Sequence, residues 1–243
     1  MTAASKKITT YIEFGKKRTF AGAVEWPGWC RSGRDEQSAL QALVEYGPRY
    51  SRVIQAAKLG FAAPGEVGAM MVVERLKGDT TTDFGSPGKA PAADARPVKA
   101  AELQRLRLLL QACWRSFDAA VAAAKGKTLT TGPRGGGRDL EKIIGHVLGA
   151  DEAYLYKIGW WKSAEMHSDP PRSLDQVRQE ILKGLATAVR GELPATGPRG
   201  GLNWSPRYFV RRVAWHVLDH AWEIEDRLPG SRDVSQPVMT NDT

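Results

Sequence analysis

One stretch decides how the C-terminal half of this 243-residue chain folds: Val213-Ala214-Trp215-His216-Val217-Leu218-Asp219-His220-Ala221-Trp222-Glu223. Its apolar residues recur at steps of three and four, the spacing of one face of an amphipathic helix. Ser205 and Pro206 precede it and match an N-cap followed by proline at the first helical position. The pattern therefore predicts a helix that begins at Ser205 and packs one face on a core.

Three more helices are predicted upstream. The first covers about Val98 to Ala124, the second begins near Asp139 as an N-cap, and the third begins at Ser173 with a capping-box pattern. Four amphipathic helices with polar connections predict an all-α four-helix bundle. The residues expected to face one another in its core are Leu103, Leu106, Leu110, Phe117, Ile143, Val147, Ile181, Leu185, Val213 and Val217.

The N-terminal part predicts a small α+β fold instead. Its three short runs of β-branched, aromatic and other apolar residues are 9–14, 19–26 and 70–76, of which the first two are expected to form a hairpin. Asp35 or Ser38 can cap a helix between the second and third runs. Pro48 follows Gly47 at the place where helices commonly end, so the helix is expected to stop there.

A stretch rich in glycine, proline, threonine and small residues separates the two parts. It covers residues 78–97 and shows no hydrophobic period, which is typical of a linker. The sequence thus predicts an α+β domain over residues 1–77 and a helical domain over residues 98–230. The polar stretch 231–243 is predicted to be a disordered tail.

The composition of the chain limits the classes of protein to which it can belong. The chain is 42% hydrophobic, has no apolar run near the roughly 20 residues of a membrane-spanning helix, and shows no secretory signal. The net charge is +8, but lysines and arginines alternate with acids, which favours a solvated surface over nucleic-acid binding. Cys30 and Cys113 lie far apart and are expected to be reduced, which indicates the cytoplasm. The sequence identifies neither a small-molecule substrate nor an oligomeric state, and a homodimer stays open.

Three of the four histidines suggest a metal site. His216 and His220 are four residues apart, hence on one helix face. The motif Thr-Gly-Pro-Arg-Gly-Gly occurs at 131–136 and 196–201, and each copy precedes a helix with His-Val-Leu, which puts His146 in the position equivalent to His216. Three imidazoles on inward faces of two helices suit Zn, Ni, Fe or Mn and leave coordination positions open.

Three acidic residues lie near these histidines in the sequence. Glu223 shares the face of His220, so it is a candidate catalytic base, an acceptor that orients a metal ligand, or a surface ion-pair partner. Asp151 and Asp219 are expected to point away from the histidine face.

Two segments resemble the DinB-like four-helix family, which includes mycothiol-dependent maleylpyruvate isomerases and bacillithiol transferases. They are Ile144-Gly145-His146-Val147-Leu148-Gly149-Ala150-Asp151-Glu152 and the stretch 213–223. The resemblance covers residues 98–228. It implies a divalent metal held by His146, His216 and His220, and a low-molecular-weight thiol as cofactor.

A second resemblance concerns the N-terminal part. It is carried by Ala23-Val24-Glu25-Trp26-Pro27-Gly28-Trp29-Cys30-Arg31-Ser32-Gly33, followed by Asp35-Glu36-Gln37-Ser38-Ala39-Leu40. This segment is similar to the HicB-type antitoxin fold. Trp29 interrupts the usual Pro-Gly-Cys turn and no helix-turn-helix follows, so the resemblance implies a fold and not an antitoxin function.

These observations lead to a metal-dependent enzyme of the thiol transferase or hydrolase type as the first hypothesis. The alternatives are a non-catalytic module that binds a small ligand and an interaction protein with weak nucleic-acid affinity.

Overall fold

The computed structural model describes residues 7–132, 137–162 and 172–230. The fold is mixed: a small four-stranded sheet lies in the N-terminal part, and long helices make up most of the rest. In chain order the elements are β1 Ile8–Phe14, β2 Thr19–Ala23, β3 Cys30–Gly33, α1 Glu36–Glu45, α2 Gly47–Gln55, β4 Met70–Lys77, α3 Thr80–Phe84, α4 Ala100–Ala124, α5 Leu140–Ile158, α6 Leu174–Val189 and α7 Pro206–Asp226.

The sheet has the strand order β3-β2-β1-β4. β1 and β2 form the predicted antiparallel hairpin, and the third apolar run forms β4, which lies parallel to β1. β2 ends at Ala23 and not at Trp26, because the chain turns at Gly28, whose φ is +93°. A Cβ at Gly28 would stand 3.0 Å from the Leu218 side chain, so the turn approaches α7 closely.

The predicted helix forms with the predicted capping residues, and a second helix follows it directly. Asp35 caps α1 and Ser38 completes a reciprocal capping box, so both candidates take part. α1 ends at Glu45, just before Gly47 and Pro48, as predicted. The sequence did not predict the second helix, α2, and Pro48 lies in its first turn, where its missing N–H and fixed φ are tolerated.

The four long helices begin where the sequence predicts. The side chains of Asp139, Ser173 and Ser205 each accept a hydrogen bond from a backbone N–H in the first turn of their helix. The first of the four starts at Ala100, two residues later than predicted. Nine of the ten predicted core residues are fully or almost fully buried, and Leu103 packs against the same core half-buried.

The segment 78–97, predicted as a linker, carries more structure than its composition indicates. It contains α3 and a turn of 3-10 helix at Ala92–Ala95. Polar contacts order it: the buried carboxylate of Glu13 accepts hydrogen bonds from Thr82 and from the backbone N–H groups of Gly88 and Lys89. Its Asp94 pairs with Arg211 of α7.

One apolar core continues across both parts of the chain. Ile12 of β1 and Leu43 of α1 belong to the same cluster as Leu110 and Val213 of the long helices. Within the described ranges, no helix combines the length and apolarity needed to cross a membrane. Residues 231–243 and part of the first Thr-Gly-Pro-Arg-Gly-Gly copy lie outside the described residues.

Candidate metal centre

The structure brings His146, His216 and His220 together. His146 lies on α5, and the other two occupy adjacent turns of α7. Each ring offers one nitrogen such that the three atoms all lie within 4.8 Å of one another. The ring centroids are 5.0 Å apart for His146 and His216, 4.9 Å for His146 and His220, and 4.6 Å for His216 and His220.

The closest approach joins the Nε2 atoms of His146 and His216, at 3.2 Å. Two nitrogens about 2.0–2.1 Å from one tetrahedral ion would be about 3.3–3.4 Å apart, so this separation fits a shared ion. It is also the distance of a hydrogen bond between two neutral rings, in which one Nε2 donates and the other accepts.

Glu223 fixes the orientation of the third ring. Nδ1 of His220 donates to one carboxylate oxygen of Glu223 at 2.8 Å, which leaves Nε2 of His220 with its lone pair for another partner. The other oxygen of Glu223 accepts from the Arg227 guanidinium at 2.8 Å. These contacts, with the His220 hydrogen bond as the largest cause, lower the pKa of Glu223 to about 2. Of the roles considered for Glu223, the geometry favours the acceptor that orients a ligand, since such a carboxylate is a weak base.

Desolvation lowers the pKa of two of the three rings. His216 is 7% exposed, and desolvation followed by the neighbouring histidines lowers its pKa well below the usual range. Desolvation also lowers the pKa of His146, and the charge of Arg138 acts in the same direction. Neutral imidazole is the form that binds a metal ion. Nδ1 of His216 is buried and has no hydrogen-bond partner.

The three rings line a cavity of about 1080 Å³. One wall comes from α5 and α7, and the opposite wall comes from the N-terminal sheet, including Phe20 and Ser32. Asp219, expected to point away from the histidine face, also lines this cavity and pairs with Arg31 of β3 at 3.2 Å. Asp219 thus borders the cavity from a flank of α7 through its pair with Arg31, and it is not among the three clustered ligand groups.

Tyr154 contributes a phenol to the same cavity. Its ring lies 5.8 Å from that of His216, and its oxygen accepts a hydrogen bond from Arg212 at 3.0 Å. Burial is the main cause that raises its pKa, so the phenol keeps its proton near neutral pH. Because the contact with Arg212 uses a lone pair of the phenol oxygen, the O–H of Tyr154 stays available as a donor to another group.

Asp151 does not join the cluster. Its side chain is 1% exposed, and neither carboxylate oxygen has a hydrogen-bond partner. Desolvation raises the pKa of Asp151 to about 7, against an opposing effect of the Arg178 charge.

Searches of protein-family models, curated proteins and solved structures found no match to this chain. The site is therefore interpreted from its own geometry. Sequence reasoning found the three histidines by their helical spacing and by the internal repeat. It missed Tyr154 and the sheet wall, because contacts between segments far apart in the chain leave no periodic pattern.

Proposed function

We propose that this chain is a metal-dependent enzyme of the thiol transferase or hydrolase type, with a divalent ion held by His146, His216 and His220. The observation that carries the proposal is the convergence of three histidine rings from two helices beside a cavity. In this proposal α4 to α7 form a DinB-like four-helix bundle, and the N-terminal sheet with α1 is a HicB-like unit.

The donor set fits such an ion. Nε2 of His220 is free for coordination because Glu223 holds Nδ1, and the Nε2 atoms of His146 and His216 are already spaced as two ligands of one ion. When bound, the ion supplies Lewis-acid chemistry and lowers the pKa of a nearby water or thiol. The choice among Zn, Ni, Fe and Mn stays open, since imidazole suits each of them.

In this proposal, other side chains of the protein orient the metal ligands and the substrate. Glu223, held by Arg227, keeps His220 in one orientation and one tautomer. Tyr154 can donate its phenol hydrogen to an oxygen of the substrate next to His216. The sheet wall and the helix wall bury His216 and His220, which strengthens polar interactions at these two rings.

A non-catalytic binding module is the second candidate. The specific observation in its favour is the 3.2 Å separation of the two Nε2 atoms, which a direct hydrogen bond also explains. In that case the histidines hold α5 and α7 together and the cavity takes a ligand without an ion.

Metal stoichiometry separates the two candidates. The full-length protein is loaded with Zn, Ni or Mn, desalted and analysed for metal content. We expect about one ion per chain, none in His216→Ala or His220→Ala, and affinity lower by about 10–100-fold in Glu223→Gln, since a partner of a ligand is lost. Glu225→Gln, on the same helix and paired with Arg49, is the matched control and should bind like the wild type.

Wild-type protein that retains none of the three metals would contradict the proposal. So would full retention by His216→Ala with unchanged helicity. A separate experiment tests whether a thiol binds the metal ion. Cobalt serves as the spectroscopic probe, and a low-molecular-weight thiol added to the cobalt-loaded protein should produce a sulfur-to-cobalt charge-transfer absorption. Its absence would leave the hydrolase type as the proposed reaction.

A further inference from the structure

Among the described residues that line the cavity, each carboxylate forms an ion pair with an arginine. The pairs are Asp219 with Arg31 at 3.2 Å, Glu223 with Arg227 at 2.8 Å, and Asp226 with Arg49 at 2.8 Å.

Two further arginines line the cavity without such compensation. Arg18, directly before β2, has one guanidinium nitrogen 3.5 Å from the hydroxyl oxygen of Ser32, which lies on the same wall. Arg138 directly precedes Asp139, the N-cap of α5, and lines the same cavity as His146 and His216. Among the described residues, no carboxylate lies within ion-pair distance of either guanidinium. The cavity therefore carries a surplus of positive charge.

Aromatic side chains make up much of the remaining lining. Phe20 of β2 packs edge-to-face on Trp215 of α7, with ring centroids 6.3 Å apart. Tyr46 packs on Trp222 at 5.2 Å, and the Arg31 guanidinium lies 3.9 Å from the centre of the Tyr46 ring. Such surfaces bind flat apolar groups, and a guanidinium binds carboxylate or phosphate through two parallel N–H donors.

We infer that the cavity takes a small organic anion with an aromatic or similarly flat apolar body, and that Arg18 and Arg138 bind its anionic head. Arg18 is then a specificity-determining residue supplied by the N-terminal unit, which forms part of the binding site and not a separate accessory. The head group is a carboxylate or a phosphate, since both match the guanidinium fork. The inference rests on the proposed function in taking this cavity as the substrate site.

Binding of model anions to metal-free protein tests it. Full-length protein kept in chelator is titrated with benzoate, with phenyl phosphate and with the uncharged benzamide, and binding is followed by calorimetry and by intrinsic tryptophan fluorescence. We expect at least one anion to bind, and benzamide to bind at least about tenfold more weakly, because a charge-assisted contact is lost. The tighter of the two anions identifies the head group.

Arginine variants locate the anion. Arg18→Gln and Arg138→Gln should each weaken binding of the preferred anion at least about tenfold, with an unchanged thermal unfolding midpoint. Lys17→Gln removes the same charge from the neighbouring exposed position and should bind like the wild type. Equal binding of benzamide and the anions, no binding of either anion, or wild-type affinity in Arg18→Gln would overturn the inference.

Metal content is measured on the same preparations. Protein that binds the anion but retains no metal would refute the proposed metal site and leave the anion site standing. Protein that retains metal but binds neither anion would refute the anion site and leave the proposed metal site standing.

Discussion

Replacing Asp151 by asparagine should stabilise the protein at neutral and alkaline pH and change its stability little in acid. The side chain lies on the core face of α5 with Val147 and Leu155, and it makes no hydrogen bond. An ionised carboxylate in this position is costly, since nothing nearby replaces the water that it loses on folding. Asparagine has nearly the same shape and carries no charge.

The magnitude follows from the pKa. Burial raises the pKa of Asp151 from 3.8 to about 7, so the native state binds the proton more tightly than the unfolded state does. The free energy of unfolding therefore falls as the pH rises from about 4 through about 7, and is constant above that window. Between about pH 4.5 and about pH 8 the linkage relation gives a loss of about 3 kcal/mol, which the variant should not show.

Denaturant unfolding followed by circular dichroism, in chelator and at both pH values, measures this difference. Glu141→Gln removes a charge from an exposed position of the same helix, and its stability should change by less than about 1 kcal/mol at either pH. If Asp151→Asn has the same stability relative to wild type at both pH values, the carboxyl is not buried as a neutral acid. The desolvation of Asp151 inside α5 would then be refuted as the cause of its raised pKa.

Two further predictions concern the core and its buried charges. Leu110→Ala should cost about 2–5 kcal/mol of unfolding free energy, because the side chain is fully buried among the long helices. A loss below about 0.5 kcal/mol would place Leu110 outside the core. Asp94→Ala should cost about 3–5 kcal/mol, since it leaves the buried Arg211 guanidinium without a counter-charge. Glu25→Ala, which breaks the exposed pair with Arg96, should cost less than about 1 kcal/mol, and equal losses in the two variants would contradict the burial argument.

Local signals in the sequence predicted the helices and the histidine cluster well. Caps such as Asp139 and Ser205 act within three or four residues, so the sequence contains both partners of each contact. The spacing of His216 and His220 likewise fixes their relative position once the helix is known. The position of His146 opposite them followed from the repeat, which relates one helix to another without knowledge of their packing.

Structural features that depend on residues far apart in the chain could not be predicted from the sequence. Pro48 predicts the end of α1, but it also lies in the first turn of α2, and that helix is stabilised by the burial of Tyr50 and Ile54. The segment 78–97 has the composition of a linker, yet Glu13 and Arg211, from opposite parts of the chain, hold it in place. Composition describes what a segment can bury by itself and says nothing about the hydrogen bonds that it forms with distant residues.

The two faces of α7 explain why the sheet and the candidate site belong together. One face carries His216, His220 and Glu223 toward α5, and the other carries Arg211 and Trp215 toward the sheet. Arg211 donates to the backbone carbonyls of Ala23 and Val24 at the end of β2, and the next turn of the chain presses Gly28 on α7. A shift of the sheet would therefore move α7, and with it two of the three rings, relative to His146 on α5. The N-terminal unit thus has a positioning role in the site that is independent of whether it also contacts the substrate.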